Sequence, residues 1–151
     1  MTDSAVFEQV ADKVRAALHA QGLFRHMGAE VAKVQPGWVE IVLPFREEVA
    51  QHNGFFHGGA VGFVVDIACA AAAGTVLRSS SEAVLTAEYK LNIVAAARSG
   101  RLVCRAEVIK PGRLLIPVEA KVHVIDEAGV ERLVAVGLAT MAVVSTERVA
   151  A

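Results

Sequence analysis

GGAVGFVVDIACAAAAGTVL, residues 58–77, is twenty residues long and carries one charge, Asp66. A bilayer span needs about 20 apolar residues, so length alone allows a membrane helix. Composition does not. A carboxylate near the middle of a span costs roughly 2.5–3.5 kcal/mol, and glycine and alanine offset little of that. The chain downstream alternates apolar and polar residues, as a water-facing sheet does. The stretch therefore reads as a helix buried within a soluble protein, with no membrane partner. A helix that is apolar nearly all round must be covered on most sides, and a carboxylate inside it needs a reason to be there.

Outward from this helix the chain reads as a sheet. Ser4 to about Ala20 has helical spacing in Val6, Phe7, Val10, Val14, Ala17 and Leu18, with Gly22 as its stop. Val31–Val34 and Trp38–Phe45 flank the turn Pro36-Gly37. Val39, Ile41, Leu43 and Phe45 fall on one side of the second strand. Arg46–Phe56 is a polar, irregular loop. Ala83–Val94, Arg101–Lys110, Leu114–Ile125 and Leu133–Val144 alternate with period two and are joined mostly by short turns. In Ala83–Val94, Leu85, Ala87, Tyr89, Leu91 and Ile93 share one face, and Thr86, Glu88, Lys90 and Asn92 the other. The predicted class is α+β: one highly curved antiparallel sheet wrapped around a long central helix, a single domain over residues 1–151.

The composition fits this reading. Of the 151 residues 54% are hydrophobic but only 5% aromatic, with 27 Ala and 25 Val. The mean hydropathy of +0.47 excludes disorder. A net charge of -1 leaves no basic field for nucleic acid. So high an apolar fraction points to surface buried between subunits. The N-terminal residues lack the basic and apolar regions of a signal peptide, and Cys69 and Cys104 form no CxxC pair. A cytoplasmic protein with two reduced thiols is expected.

The junction Gln51–Gly59, QHNGFFHGG, leads into the helix. The first helical turn leaves backbone N–H groups unpartnered. Gly58 and Gly59 let a ligand approach them, and the helix dipole favours negative charge there. Such a site polarises a carbonyl or holds an oxyanion. Asp66 follows His57 by nine residues, among the small neighbours Gly59, Gly62, Cys69, Ala70 and Ala73, with Phe63 the exception. A partly desolvated carboxylate near such a helix end suits acyl-group hydrolysis. Plainer readings stand beside this one. Asp66 can be a structural acid, His57 a helix cap, Gln51 and Asn53 turn residues, and Cys69 a small hydrophobe. His52 and His57 lack a third ligand in the loop, so no metal site is expected.

Four motifs now stand together: HGG at His57–Gly59, Asp66 nine residues after His57, LTAEYKLNIVAAARSG at residues 85–100, and KPGR at Lys110–Arg113. With these, the chain from about residue 20 to 145 resembles the hotdog-fold acyl-CoA thioesterases, in the PaaI-like, phenylacetate-degradation type branch. The resemblance implies a hydrolase of acyl-CoA, built as a homodimer or a dimer of dimers with sites at subunit interfaces. It makes Asp66 the nucleophile or the base that activates water, facing Gly58 of the partner subunit. The Gly58 N–H would polarise the thioester carbonyl, with His57 and Gly59 beside it. Family members usually carry Asn six residues before the motif's His. Here that position is Gln51, with Asn53 as the second choice. Thr86 matches the position of a Ser or Thr that helps hold the water. No cofactor is implied beyond the CoA of the substrate.

Arg98, Arg101, Arg105, Lys110 and Arg113 form a loose basic group. Arg105 reads as part of a solvated sheet face beside Glu107. The other four, Arg98, Arg101, Lys110 and Arg113, suit CoA phosphates, with Arg113, beside Gly112, the best single candidate. The expected substrates are small or medium acyl-CoA thioesters, with aryl groups suggested by Phe55, Phe56 and Phe63. Two other functions are consistent with the residues: an acyl-thioester dehydratase or hydratase of the same fold, and a non-catalytic acyl-CoA-binding module.

Overall fold

The computed structural model describes residues 3–149. Helix α1 (Asp3–Ala20) and the short α2 (Gly22–Met27) precede strands β1 (Glu30–Gln35) and β2 (Trp38–Pro44). A single 3-10 turn, Glu47–Val49, leads to the long helix α3 (Gly58–Gly74). Strands β3 (Glu82–Ile93), β4 (Arg101–Val108), β5 (Leu115–Ile125) and β6 (Glu131–Ser145) follow, and a last turn of helix, α4, spans Thr146–Val149. Gly22 does not stop α1. The chain breaks at Gln21, whose backbone is extended, and Gly22 opens α2. Fully buried Phe24 anchors that six-residue helix, which ends at Gly28 in the left-handed region.

The strands form one six-stranded sheet in the order β1-β2-β4-β5-β6-β3, and every pairing is antiparallel. Its inner face packs on α3 through alternate residues: Val39, Ile41 and Leu43 of β2, Leu102, Cys104 and Ala106 of β4, and Ile116, Val118, Ala120 and Val122 of β5. The close approach of α3 to β6 depends on Gly137, where a Cβ would stand 2.6 Å from Val65 Cγ1. Twelve of the seventeen α3 residues are buried. The apolar helix and the sheet that wraps it are thus as expected.

The five unburied residues of α3 are Gly58, Gly59, Asp66, Ala70 and Gly74. Four of them fall on one stripe at multiples of four residues, with Gly62 at the missing step. This stripe borders β3, one of the two edge strands. Alternation of this kind is usual in a strand with one buried face. In the structure β3 is exposed on both faces over most of its length, with Leu85 49%, Tyr89 42% and Ile93 49% accessible. Only β6 pairs with it among the described residues.

A bulge between Thr86 and Glu88 also resets its faces. Thr86 lies opposite buried Met141, and Tyr89 opposite buried Ala139. Both therefore face α3, although strict alternation puts them on opposite sides. On the outer face Arg105 bonds Glu40, its cross-strand partner, at 2.7 Å and also Glu131. These replace the expected neighbour Glu107.

Candidate active site

The loop before α3 is pinned at both ends. The Phe56 N–H donates to Ala97 O at 2.8 Å, and its ring packs edge-on against Phe45. The Gln51 N–H donates to Phe55 O, and the Gly54 N–H to Gln51 O. This small closed loop delivers His57 to the N-cap of α3. There His57 Nδ1 accepts from the Gly59 N–H at 2.8 Å. A Cβ on Gly59 would stand 3.0 Å from that nitrogen, so glycine makes room for the cap. His57 O accepts from the Ala60 and Val61 N–H groups.

The Gly58 N–H has no acceptor among the described residues. It is the free donor of the first turn, at the positive end of the dipole. A Cβ on Gly58 would meet only Ile93 Cδ1, at an ordinary 3.5 Å. Nothing in the chain's own packing requires a glycine there. A cavity of about 500 Å³ opens beside Gly58, lined by Gln51, Phe55, Phe56, Val61, Val134 and residues 93–97.

Gln51 lies in this cavity. Its Oε1 accepts from the Asn53 N–H, which leaves its Nε2 as donor. Asn53 does not line the cavity. It is at the exposed loop tip, its Nδ2 3.2 Å from His52 Nε2. Phe63 lies in the core and does not line this cavity.

Asp66 is half-buried, not buried as expected, because it is on the open stripe that its own chain covers only in part. Thr86 Oγ1 donates to Asp66 Oδ1 at 2.6 Å, with Met141 Sδ 3.6 Å from the same hydroxyl. The bulge in β3 makes this bond. Oδ2 of Asp66 has no partner among the described residues. One turn on, burial and then the Asp66 charge push the Cys69 thiol up to about 12. Cys69 is a neutral thiol at any working pH, not a nucleophile.

The eight residues from Gly58 to Asp66 place them about 12 Å apart along the helix. They cannot meet one carbonyl from the same chain. Lys110 and Arg113 are in the exposed turn after β4. That turn is at the C-terminal end of α3, where Gly37 bonds both Thr75 Oγ1 and Val108 N. It is one helix length, about 25 Å, from Gly58 of the same chain. Sequence reasoning missed the 93–97 wall, because its small apolar residues do not stand out by type. No group of three or more His, Cys, Asp or Glu among the described residues is placed to hold a metal ion, and no helix there is long and apolar enough to cross a membrane.

The thioesterase superfamily model matches residues 53–131. That span holds the capped glycines, the Asp66–Thr86 pair and the Lys110–Arg113 turn. The chain belongs to the thioesterase superfamily. As a thioesterase it is a hydrolase of thioester bonds. A crystal structure of a thioesterase family protein from Silicibacter pomeroyi is 37% identical, with a TM-score of 0.86 over 90% of this chain and 98% of that one. Two more distant structures share the fold, which is the hotdog fold. The thioesterase HI1161 of Haemophilus influenzae is 22% identical, with a TM-score of 0.77 over 85% of this chain and 87% of that one. The PaaI protein of the E. coli phenylacetic acid degradation operon is 13% identical, with a TM-score of 0.79 over 91% and 95%.

Proposed function

We propose that this thioesterase hydrolyses small or medium acyl-CoA thioesters, aryl ones included, as a homodimer whose two sites each join Gly58 of one chain to Asp66 of the other. The observation that carries this reading is the 12 Å gap between a free helix-end N–H and a half-open carboxylate on one helix. The open stripe of α3 and the unpaired edge of β3, with Tyr89 and Ile93 exposed on the helix side, support a second copy as the cover. Leu85, Leu115 and Leu138, exposed on the convex face, support further pairing of dimers.

In this arrangement the thioester carbonyl accepts from the Gly58 N–H, and the helix dipole stabilises the oxyanion as it forms. Gln51 Nε2 is the second donor. His57 and Gly59 hold the turn that aims Gly58. Asp66, steadied by Thr86, uses its free oxygen to attack the carbonyl, forming a mixed anhydride that water then hydrolyses, or to deprotonate the water that attacks. CoA leaves as thiolate. An ordinary thiol pKa of about 8.5 makes it a good leaving group without a strong general acid. Phe55, Phe56, Val61 and Ile93 line an uncharged slot that suits the CoA arm next to the thioester. Lys110 and Arg113 reach such a site only from the partner subunit. We place the activity in the cytoplasm, in keeping with two free, buried thiols.

The test is release of free thiol from a panel of acyl-CoA and aryl-CoA thioesters by wild type and Asp66→Asn. The expected loss is about 10²–10⁴-fold, with an unchanged circular dichroism spectrum. Equal turnover by the variant refutes the mechanism. Substrate consumption without thiol release makes the protein a hydratase or dehydratase, and tight binding without turnover makes it a binding module.

A further inference from the structure

A second cavity, of about 350 Å³, adjoins the one beside Gly58 and shares Phe55 and Ala96 with it. Two arginines line it, Arg98 and Arg132. The Arg98 guanidinium stacks 3.9 Å from the centre of the Phe55 ring. Arg132 Nη2 donates to Ala96 O at 2.9 Å. Both side chains are thus held at the wall. Neither has a carboxylate within 4.0 Å among the described residues, whereas Arg15 and Arg105 do. The one acid in the lining, Asp126, accepts the Ala128 and Val130 N–H groups at 3.0 and 2.9 Å, which ties it into its own turn. Two guanidinium groups beside one tethered carboxylate leave the cavity with a net positive charge, and the planar guanidinium fork matches phosphate oxygens.

From the helix end outward, the surfaces therefore run in a fixed order. First comes the free Gly58 N–H, then an uncharged slot walled by residues 93–97, then two unpaired guanidinium groups. An acyl-CoA has the same order of chemistry: a thioester, an uncharged pantetheine arm, then phosphates. We propose that Arg98 and Arg132 bind the phosphates of the CoA whose carbonyl rests on Gly58 of the same chain. Lys110 and Arg113 do not carry this role. The assignment rests on the acyl-CoA reading above and adds to it the site that separates a CoA thioester from a truncated one.

The test compares hexanoyl-CoA and benzoyl-CoA with the matching N-acetylcysteamine thioesters, which carry no phosphate. For the double variant Arg98→Ala with Arg132→Ala, kcat/KM on the CoA thioesters falls about 10- to 100-fold, mainly through KM. It is unchanged on the truncated thioesters. Wild-type preference for the CoA form also shrinks as salt rises. Arg98→Lys, which keeps the charge and loses the planar stack, falls in between. An equal loss on both thioesters, or no loss on either, overturns the assignment. So does a selective loss that appears in Lys110→Ala with Arg113→Ala instead. If wild type turns over neither thioester, the hydrolytic reading fails, and calorimetry with CoA itself decides the site. Binding by wild type that the double variant has lost supports the site, and equal binding or none by wild type overturns it.

Discussion

Replacing Gly58 by proline should separate the fold from the chemistry. Gly58 is the first residue of α3, directly after the N-cap His57. Proline suits this position, because its fixed φ is helical and the N–H it removes has no helical partner. The preceding residue must then be extended, and His57 is, at φ -64 and ψ 139. The Cβ has room, 3.5 Å from Ile93 Cδ1. Restricting the unfolded chain should stabilise the protein by about 0.4–1 kcal/mol, a rise of about 2–4 °C in Tm per kcal/mol for a chain of this size. The same substitution deletes the one free N–H aimed at the carbonyl. Loss of a single oxyanion donor costs about 2.7–4 kcal/mol, or 10²–10³-fold in kcat. Gly58→Ala is the control, since it adds a Cβ and keeps the N–H. The assays are thermal unfolding and thiol release. A proline variant as active as the alanine variant refutes the N–H as the donor. A proline variant that unfolds refutes the placement of Gly58 as a free first-turn residue.

Thr86→Val keeps the shape and deletes the donor to Asp66. We expect a fall in kcat of about 3- to 30-fold with little change in Tm, and recovery in Thr86→Ser. Gly137→Ala drives a Cβ against Val65 and should cost about 1–3 kcal/mol, read as a lower Tm in a scan. N-ethylmaleimide at pH 8 should leave activity intact and label neither Cys69 nor Cys104 before unfolding, because burial pushes both thiols up. Mass spectrometry of the native protein gives the answer.

The central helix was legible because a run of small apolar residues with one carboxylate has few soluble solutions. The wrapped sheet was legible because Val39, Ile41 and Leu43 alternate so cleanly with polar or half-exposed neighbours. The helix was read three residues too long, since apolar Val76 and Leu77 hide the stop. Thr75 makes that stop, its Oγ1 bonding back to Ala72 O. The bulge at Ala87 was invisible. A single extra residue leaves composition and apparent period unchanged, yet it decides that Thr86 reaches Asp66. Asp66 was read as buried because the helix around it is apolar nearly all round, with small neighbours beside the carboxylate. Whether the chain itself covers those neighbours depends on which strand lies at the sheet edge, and β3 goes there although it precedes β4 in sequence. The pairing of Arg98 with Arg132 was hidden for a similar reason, since 34 positions separate them in the chain and only the sheet order joins them.

Subunit complementation tests the shared site most directly. Gly58→Pro chains and Asp66→Asn chains, each inactive as homodimers, are mixed in equal amounts and allowed to exchange. Random pairing gives about half heterodimers, each with one intact site of two, so about a quarter of wild-type activity returns. If Gly58 and Asp66 serve one site within a single chain, every site in the mixture is broken. No return of activity in a mixture shown by native mass spectrometry to contain heterodimers would contradict the account.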